Sequence, residues 1–133
     1  MFQGNKIGTD ITGALALGNT DIGVLFTTAI GSLFGGTGAG QGNIVAFNGA
    51  DGVDVLSQNP ALSKQVQITQ NSIFGNTGLG ICLGINGVSN NFQKPPLLTW
   101  APAGAGTGTL TATLVNGSPN ASYVIDWAKF GKV

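Results

Sequence analysis

The sequence predicts an all-β fold in which short strands wind around a long core as a parallel β-helix. Three observations support this prediction: a repeat with a spacing of 28 residues, short segments of alternating apolar residues, and a high Gly content. Gly accounts for 23 of the 133 residues, whereas its usual share is about 7%. Only 8% of the residues are charged, and frequent Gly and Asn are typical of tight turns between short strands rather than of long helices.

Two stretches of the chain repeat one pattern of Asn, Gly and alternate apolar residues. They read NIVAFNGADGVDV at residues 43–55 and NSIFGNTGLGICL at residues 71–83. A third copy is divided: its first Asn lies in QGNKIG, and its second half is GNTDIGVLF at residues 18–26, at an offset of 29. A longer segment, KIGTDITGALALG, separates the two halves. Self-similarity at this period is typical of solenoids.

Strand propensity indicates which kind of solenoid to expect. The periodic segments are short and rich in β-branched or apolar residues, and no stretch keeps a helical pattern for ten residues. Strands are predicted at residues 22–26, 44–47, 52–56, 66–68, 73–74 and 80–83. Successive coils should lie about 4.8 Å apart. Val53 and Val55, with Ile81 and Leu83 in the next copy, should then point into the core, and the intervening residues Asp54 and Cys82 should point outward.

Asn occupies two equivalent positions in each copy, and stacked strands can bring such amides into hydrogen-bonded ladders. The predicted ladders are Asn5–Asn43–Asn71 and Asn19–Asn48–Asn76. The alternative is that these are ordinary turn asparagines on the surface. Asn also tolerates the left-handed conformation that turns a chain between sheets. Gly23, Gly52 and Gly80 mark the next corner, where a side chain would clash or φ must be positive.

The segments QGNKIGTDITGALALGNTDIGV, FGGTGAGQGNIVAFNGADGVDV and QNSIFGNTGLGICLG resemble the right-handed parallel β-helix repeats of bacterial surface and secreted proteins, in the broad pectate-lyase-like fold group. The resemblance implies a right-handed parallel β-helix of about three coils over residues 1–91. It also implies an extracellular or cell-surface location, although this chain contains no secretion signal. Such repeats serve both enzymes and inert scaffolds, so the resemblance indicates the fold far better than the function.

Residues 92–133 should form a short antiparallel β segment that resembles part of a β-sandwich-like module following such repeats. Pro95 and Pro96 mark the exit from the solenoid. Strands are expected at residues 97–100, 107–115 and 122–127, the last two joined as a hairpin. Three strands are too few to close a sandwich, and the chain opens within a repeat. We therefore expect either a fragment of a longer protein or pairing with another copy through the open solenoid ends.

The composition argues against several functions. The net charge is zero, so there is no basic stripe to neutralise nucleic-acid phosphates. No apolar run approaches the roughly 18 residues of a membrane span. The chain contains no Arg, His or Glu, and no cofactor is expected. Cys82 is the sole Cys; it cannot form an internal disulfide, and an inert free thiol is expected.

Carboxylate chemistry and metal binding have weak support in the sequence. Asp51 and Asp54 are close together, but Leu79 and Cys82 replace them in the next copy. Asp21 is the one residue expected to approach Asp51 from a neighbouring coil, and solvated turns explain these residues better than a catalytic pair does. The stretch GADGVDVLS resembles a calcium nonapeptide, but such sites need consecutive copies of the motif. Neither catalytic residues nor a metal site are predicted.

These observations favour a non-enzymatic structural or interaction protein, which presents a rigid face for adhesion or carbohydrate contact. The candidate sugar-stacking residues are Trp100, Tyr123 and Trp127, with core packing as the alternative for each. A second hypothesis is a remnant of a polysaccharide lyase or hydrolase that lacks its catalytic coils. A minor one is ice binding by the Thr row at positions 107, 109, 111 and 113.

Overall fold

A computed structural model describes residues 1–56, 62–84, 89–92, 97–104 and 107–113. Within these residues the chain forms ten short strands and a single helical turn. The strands are β1 (Lys6–Ile7), β2 (Val24–Thr27), β3 (Leu33–Gly35), β4 (Ile44–Ala46), β5 (Val53–Leu56), β6 (Gln67–Thr69), β7 (Ser72–Phe74), β8 (Ile81–Cys82), β9 (Leu97–Gly104) and β10 (Thr107–Thr113), and the helical turn is α1 (Ser89–Phe92). The predicted all-β class is confirmed.

Eight of these strands form three parallel sheets. Their orders are β1-β4-β7, β2-β5-β8 and β3-β6. The chain visits the three sheets in the same order on each pass, so each of these strands pairs with its equivalent from an adjacent pass. Parallel pairing of this kind is compatible with a β-helix-like fold, in which each pass adds one rung to every sheet.

The strand register follows the sequence repeat. Val53 of β5 is the partner of Val24 on one side and of Ile81 on the other. Asp54 is likewise in register with Cys82 of β8, as the alignment of the two copies predicts. The repeat therefore reports directly which residues are neighbours on adjacent rungs.

Apolar side chains from all three sheets form one buried cluster. Its buried members are Phe26, Phe34, Val45, Val53, Val55, Val66 and Ile73. Phe26 makes edge-to-face contacts with Phe2 and Phe34, with ring centroids 5.9 and 5.8 Å apart, a favoured geometry for aromatic pairs. Val53 and Val55 are fully buried, as predicted, and Leu83 packs against the cluster while partly buried.

Ile81 was predicted to lie in the core, and this prediction is wrong. Its side chain is 43% exposed. The reason is its place in the sheet, because β8 is the last strand of the order β2-β5-β8 in the described part of the chain. Val53 has a paired strand on each side, whereas among the described residues Ile81 has a strand partner on one side only.

The longer segment of the first copy forms a loop between β1 and β2. Asp10 organises it: Oδ1 accepts hydrogen bonds from the backbone N–H groups of Ala14 and Leu15, at 3.0 and 3.1 Å. The Thr12 hydroxyl donates to both carboxylate oxygens at 2.8 Å. These hydrogen bonds, of which the one from the Leu15 amide has the largest effect, lower the pKa of Asp10 to about 2. The loop thus lies within the first pass of the chain, and both flanking strands keep their parallel pairing with β4 and β5.

Strands β9 and β10 form a separate two-stranded antiparallel sheet, with Thr99 opposite Thr111 and Trp100 opposite Leu110. Strand β9 continues to Gly104, past the end predicted at residue 100, and a register irregularity lies at Thr107 and Gly108. The hairpin predicted between residues 107–115 and 122–127 depends on residues 114–133, which lie outside the described residues. In the described part of the chain, no helix has the length and apolar character needed to cross a membrane.

Candidate functional site

The first predicted set of asparagines forms a hydrogen-bonded ladder at the corner before β1, β4 and β7. The backbone N–H and the side-chain Nδ2 of Asn5 both donate to Asn43 Oδ1, each at 2.9 Å. Asn43 repeats the arrangement toward Asn71 Oδ1, at 2.9 and 2.8 Å. Asn43 Nδ2 also donates to the Phe2 carbonyl at 3.0 Å. Asn5 and Asn43 therefore each bind the next rung through two donors that converge on one oxygen.

The second predicted set repeats this geometry at the corner before β2, β5 and β8. Asn19 donates to Asn48 Oδ1 through its backbone N–H at 3.2 Å and through Nδ2 at 3.0 Å. Asn48 donates to Asn76 Oδ1 at 3.0 and 2.8 Å. The middle members, Asn43 and Asn48, are each 1% exposed. Buried amides need hydrogen-bond partners, and the ladders supply them from rung to rung.

The expected left-handed conformation does not occur at the ladder asparagines themselves. It occurs one position earlier in four of the six cases, at Gly4 (φ 67°), Phe47 (φ 61°), Gln70 (φ 52°) and Gly75 (φ 62°). Gly18 and Gly42, which precede Asn19 and Asn43, do not have positive φ. A left-handed residue therefore precedes most of the ladder asparagines but is not required by the ladder contact. The Phe47 ring packs edge-to-face on Phe74, with centroids 5.4 Å apart, which helps to offset the cost of positive φ at a bulky residue.

The three corner glycines are not equivalent. None of them has positive φ. A methyl group on Gly52 would lie 2.7 Å from the Gly80 carbonyl oxygen and 2.8 Å from Asn76 Nδ2, and Gly23 faces a comparable clash with Asn48 Nδ2 at 2.7 Å. At Gly80 the nearest atom would be 3.6 Å away. Close approach of the next rung therefore requires Gly at 23 and 52, whereas position 80 has room for a side chain.

Three polar side chains meet on the β2-β5-β8 sheet. One carboxylate oxygen from each of Asp51 and Asp54 and the Cys82 sulfur all lie within 4.8 Å of one another. The backbone N–H of Leu79 donates to Asp51 Oδ1 at 2.6 Å and fixes that carboxylate across the rung. Alternation along β5 places Asp54 between Val53 and Val55, on the face away from the apolar cluster.

Asp54 faces away from the core as predicted, but the expectation of a solvated residue is wrong. It is 7% exposed, and its Oδ1 is fully shielded with no hydrogen-bond partner. Burial raises the pKa of Asp54; hydrogen bonds from the Cys82 thiol and the Gly84 amide oppose this shift, and the charge of Asp51 adds to it.

The Cys82 thiol is half-buried and free. Burial raises its pKa, the Gly84 amide opposes the shift, and the charges of Asp54 and Asp51 add to it. A thiol held in its neutral form is a poor nucleophile. Asp21, expected to approach Asp51, does not belong to the set of ligand atoms that meet here; its backbone carbonyl instead accepts a hydrogen bond from the Ala50 amide at 3.3 Å.

Of the three candidate sugar-stacking residues, Trp100 alone lies in the described part of the chain. Trp100 lies on β9, in register with Leu110. Tyr123 and Trp127 lie outside the described residues. On the two-stranded sheet, Thr99, Ala101, Thr109 and Thr111 are exposed, and Thr99 is paired with Thr111.

Asn90 was not predicted to have a structural role, but its side chain forms two hydrogen bonds with the backbone of Val66 next to β6. Its Nδ2 donates to the Val66 carbonyl at 3.0 Å, and its Oδ1 accepts from the Val66 backbone N–H at 2.8 Å. The side chain thereby imitates a strand partner beside β6. The signal was hidden because this Asn lies outside the repeat, in NGVSNNF.

Comparison with known proteins adds no assignment. No protein-family model matches this sequence, and neither a curated protein nor a solved structure matches it significantly. The functional argument therefore depends on the residues and contacts described above.

Proposed function

We propose that this chain is a non-enzymatic scaffold module: a right-handed parallel β-helix of about three coils that presents a rigid stacked surface for adhesion or carbohydrate contact. The observation that carries the proposal is the pair of asparagine ladders. Each ladder joins three successive rungs through side chains whose hydrogen-bonding capacity is spent on the rungs themselves. Residues used in this way serve rigidity, and rigidity is what a presenting surface requires.

The chemistry of the polar cluster also supports a scaffold over an enzyme. Acid–base cleavage of glycosidic bonds needs two carboxylates roughly 5 to 9.5 Å apart on either side of a substrate. One oxygen of Asp51 and one of Asp54 lie within 4.8 Å of each other, and Asp54 is buried, which leaves little room for a substrate between them. The absence of Arg, His and Glu from the chain removes the usual partners of such carboxylates. This supports the scaffold against the alternative of a polysaccharide lyase or hydrolase remnant.

The proposed setting is the cell surface or the extracellular space, by the resemblance of the repeats to those of bacterial surface and secreted proteins. The proposed partners are a polysaccharide, stacked on Trp100, Tyr123 or Trp127, and a second copy of the chain at the unpaired edges of the sheets. Aromatic rings with a polar edge suit sugar faces.

A binding assay combined with a degradation assay tests this proposal. The purified chain would be incubated with insoluble and uronate-containing polysaccharides, and both the bound fraction and the release of unsaturated products would be measured. We expect retention on at least one polysaccharide, weakened at least tenfold by Trp100→Ala or Trp127→Ala, and no cleavage. Thr109→Ala, a change of an exposed residue on the same small sheet, is the control and should bind normally.

The outcomes separate the alternatives. Cleavage by this chain alone would overturn the scaffold proposal in favour of the enzyme remnant. Absence of binding to every polysaccharide would refute carbohydrate contact. The cross-strand pair Thr99–Thr111 extends the predicted Thr row to a second strand, so thermal hysteresis should be measured on the same samples; a freezing-point gap abolished by Thr111→Ala would favour ice binding instead.

A further inference from the structure

The cluster formed by Asp51, Asp54 and Cys82 has no role in the ladders, the core or the proposed surface. It combines two carboxylates and a thiol on adjacent rungs, with donor atoms within 4.8 Å of one another. The register Asp54–Cys82 fixes two of the side chains on paired strands. The Leu79 amide holds the third, Asp51, at 2.6 Å. The three groups are thus positioned by the backbone of two coils rather than by flexible loops.

A second, independent feature indicates that something is missing from this cluster. Asp54 is more than nine-tenths buried, and its Oδ1 is shielded from solvent without any hydrogen-bond partner. A buried acceptor left unsatisfied destabilises a fold, and more so when it is charged. Unsatisfied groups of this kind in native structures call for an explanation such as an ion. A cation bound among the three residues would supply the missing partner.

We propose that Asp51, Asp54 and Cys82 form a binding site for a divalent transition-metal cation of the zinc class. The ligand set selects this class, because zinc accepts both thiolate and carboxylate ligands. Calcium and magnesium are bound by oxygen ligands in larger number or in octahedral geometry. Water would occupy the fourth tetrahedral position.

The separations suit this cation after a small adjustment. Bond lengths of about 2.0 to 2.3 Å place the ligand atoms of a tetrahedral zinc site about 3.5 Å apart, so side chains now within 4.8 Å close on the ion by rotamer changes. The ion would displace the thiol proton and offset the charges of the two carboxylates. It would also join β5 to β8 and so stabilise the stack, whether or not the chain contacts a polysaccharide.

The test is a titration of the full chain with ZnCl2, followed by calorimetry, and with CoCl2, followed by absorption. We expect one zinc ion per chain and a thiolate-to-cobalt charge-transfer band in the near ultraviolet. Cys82→Ser should abolish the band, and both Cys82→Ser and Asp54→Asn should weaken zinc binding at least tenfold. Asp21→Asn makes the same chemical change outside the cluster and should bind zinc as the unaltered chain does.

Thermal unfolding with and without zinc distinguishes a loss of zinc binding from a general loss of stability in a variant. Zinc should raise the melting temperature of the unaltered chain and of Asp21→Asn, but not that of Asp54→Asn, whose amide has nearly the volume of the carboxylate. Lack of saturable zinc binding by the unaltered chain would overturn the proposal. Equal zinc affinity in Asp54→Asn and the unaltered chain would also overturn it, because the ion would then be bound elsewhere. A preference for calcium over zinc would contradict the ligand assignment.

Discussion

Asn43 shows how much structural work one residue does in this chain. Its carboxamide accepts two hydrogen bonds from Asn5 and donates to Asn71 and to the Phe2 carbonyl. All four hydrogen bonds connect different rungs, and Asn43 is buried. Asn5, at the end of the same ladder, is exposed and has no rung before it among the described residues.

We predict that Asn43→Ala destabilises the fold far more than Asn5→Ala does. Removing the middle carboxamide leaves its hydrogen-bond partners on both neighbouring rungs unsatisfied. At about 1 kcal/mol for each hydrogen bond, the free energy of unfolding should fall by about 2 to 5 kcal/mol. The terminal change should cost about 1 kcal/mol or less. Urea denaturation followed by circular dichroism measures both free energies of unfolding. Equal losses would show that the ladder does not bear on stability.

The corner glycines allow a matched pair of substitutions. Gly52→Ala should destabilise by about 1 to 3 kcal/mol, as overpacking does, because the new methyl would meet the Gly80 carbonyl oxygen and Asn76 Nδ2. Gly80→Ala meets nothing closer than 3.6 Å and should be neutral or stabilising by up to about 1 kcal/mol. Thermal melts of the two variants decide the matter, and a larger loss for Gly80→Ala would contradict the described packing.

At the scale of elements, the predicted strands and the observed ones agree where apolar residues alternate within the repeat. Strands β1 and β3 were not predicted. Strand β3 lies beside a Gly-rich stretch and is too short to show alternation, and it exists through backbone pairing with β6. Pairing between distant segments leaves no local signal. The sequence repeat, by contrast, predicted the register of β5 with β8 and the membership of both ladders.

The loop between β1 and β2 gives a pH prediction. Because the pKa of Asp10 is lowered from 3.8 to about 2, the charged carboxylate is favoured in the folded loop. Its contribution to stability is present above pH 3.8 and is lost as the pH falls through about 2. A carbon-detected NMR titration should find a midpoint near 2 for Asp10, shifted upward in Thr12→Ala, which lacks the donating hydroxyl. A midpoint near 3.8 in both proteins would refute the hydrogen-bonded loop.

At the scale of the whole molecule, the eight described parallel strands pair from one pass of the chain to the next, and the described core and ladders depend on contacts between passes rather than on any single element. This explains which parts of the candidate site could be foreseen. The alignment of copies placed Cys82 opposite Asp54, but nothing in an alternating pattern indicates that an outward-facing Asp is shielded from solvent. The burial of Asp54 depends on surroundings that only the folded chain provides. The prediction for Ile81 was wrong in the opposite direction: Ile81 was expected to be buried and is exposed, because it lies at the end of its sheet in the described part of the chain.

Within the described residues, the outer strands of the parallel sheets have a pairing partner on one side only, which predicts self-association. Edge strands present free backbone groups that pair with other chains, and a Lys on the edge opposes this pairing. Ile81→Lys on β8 should therefore shift the chain toward monomer in sedimentation velocity runs. Leu79→Lys, at a 62% exposed position outside the strands, should leave the distribution unchanged. A strictly monomeric unaltered chain at every concentration would count against association.

The central claim is that successive passes of the chain stack in parallel and in register, joined by asparagine ladders. Through-space NMR contacts on the isotope-labelled chain test it most directly. The account predicts contacts between the Asn43 side-chain amide protons and Asn71, 28 residues away, between those of Asn19 and Asn48, 29 residues away, and between the backbones of Val53 and Ile81. Antiparallel contacts between these strands, or no contacts at these separations, would contradict it.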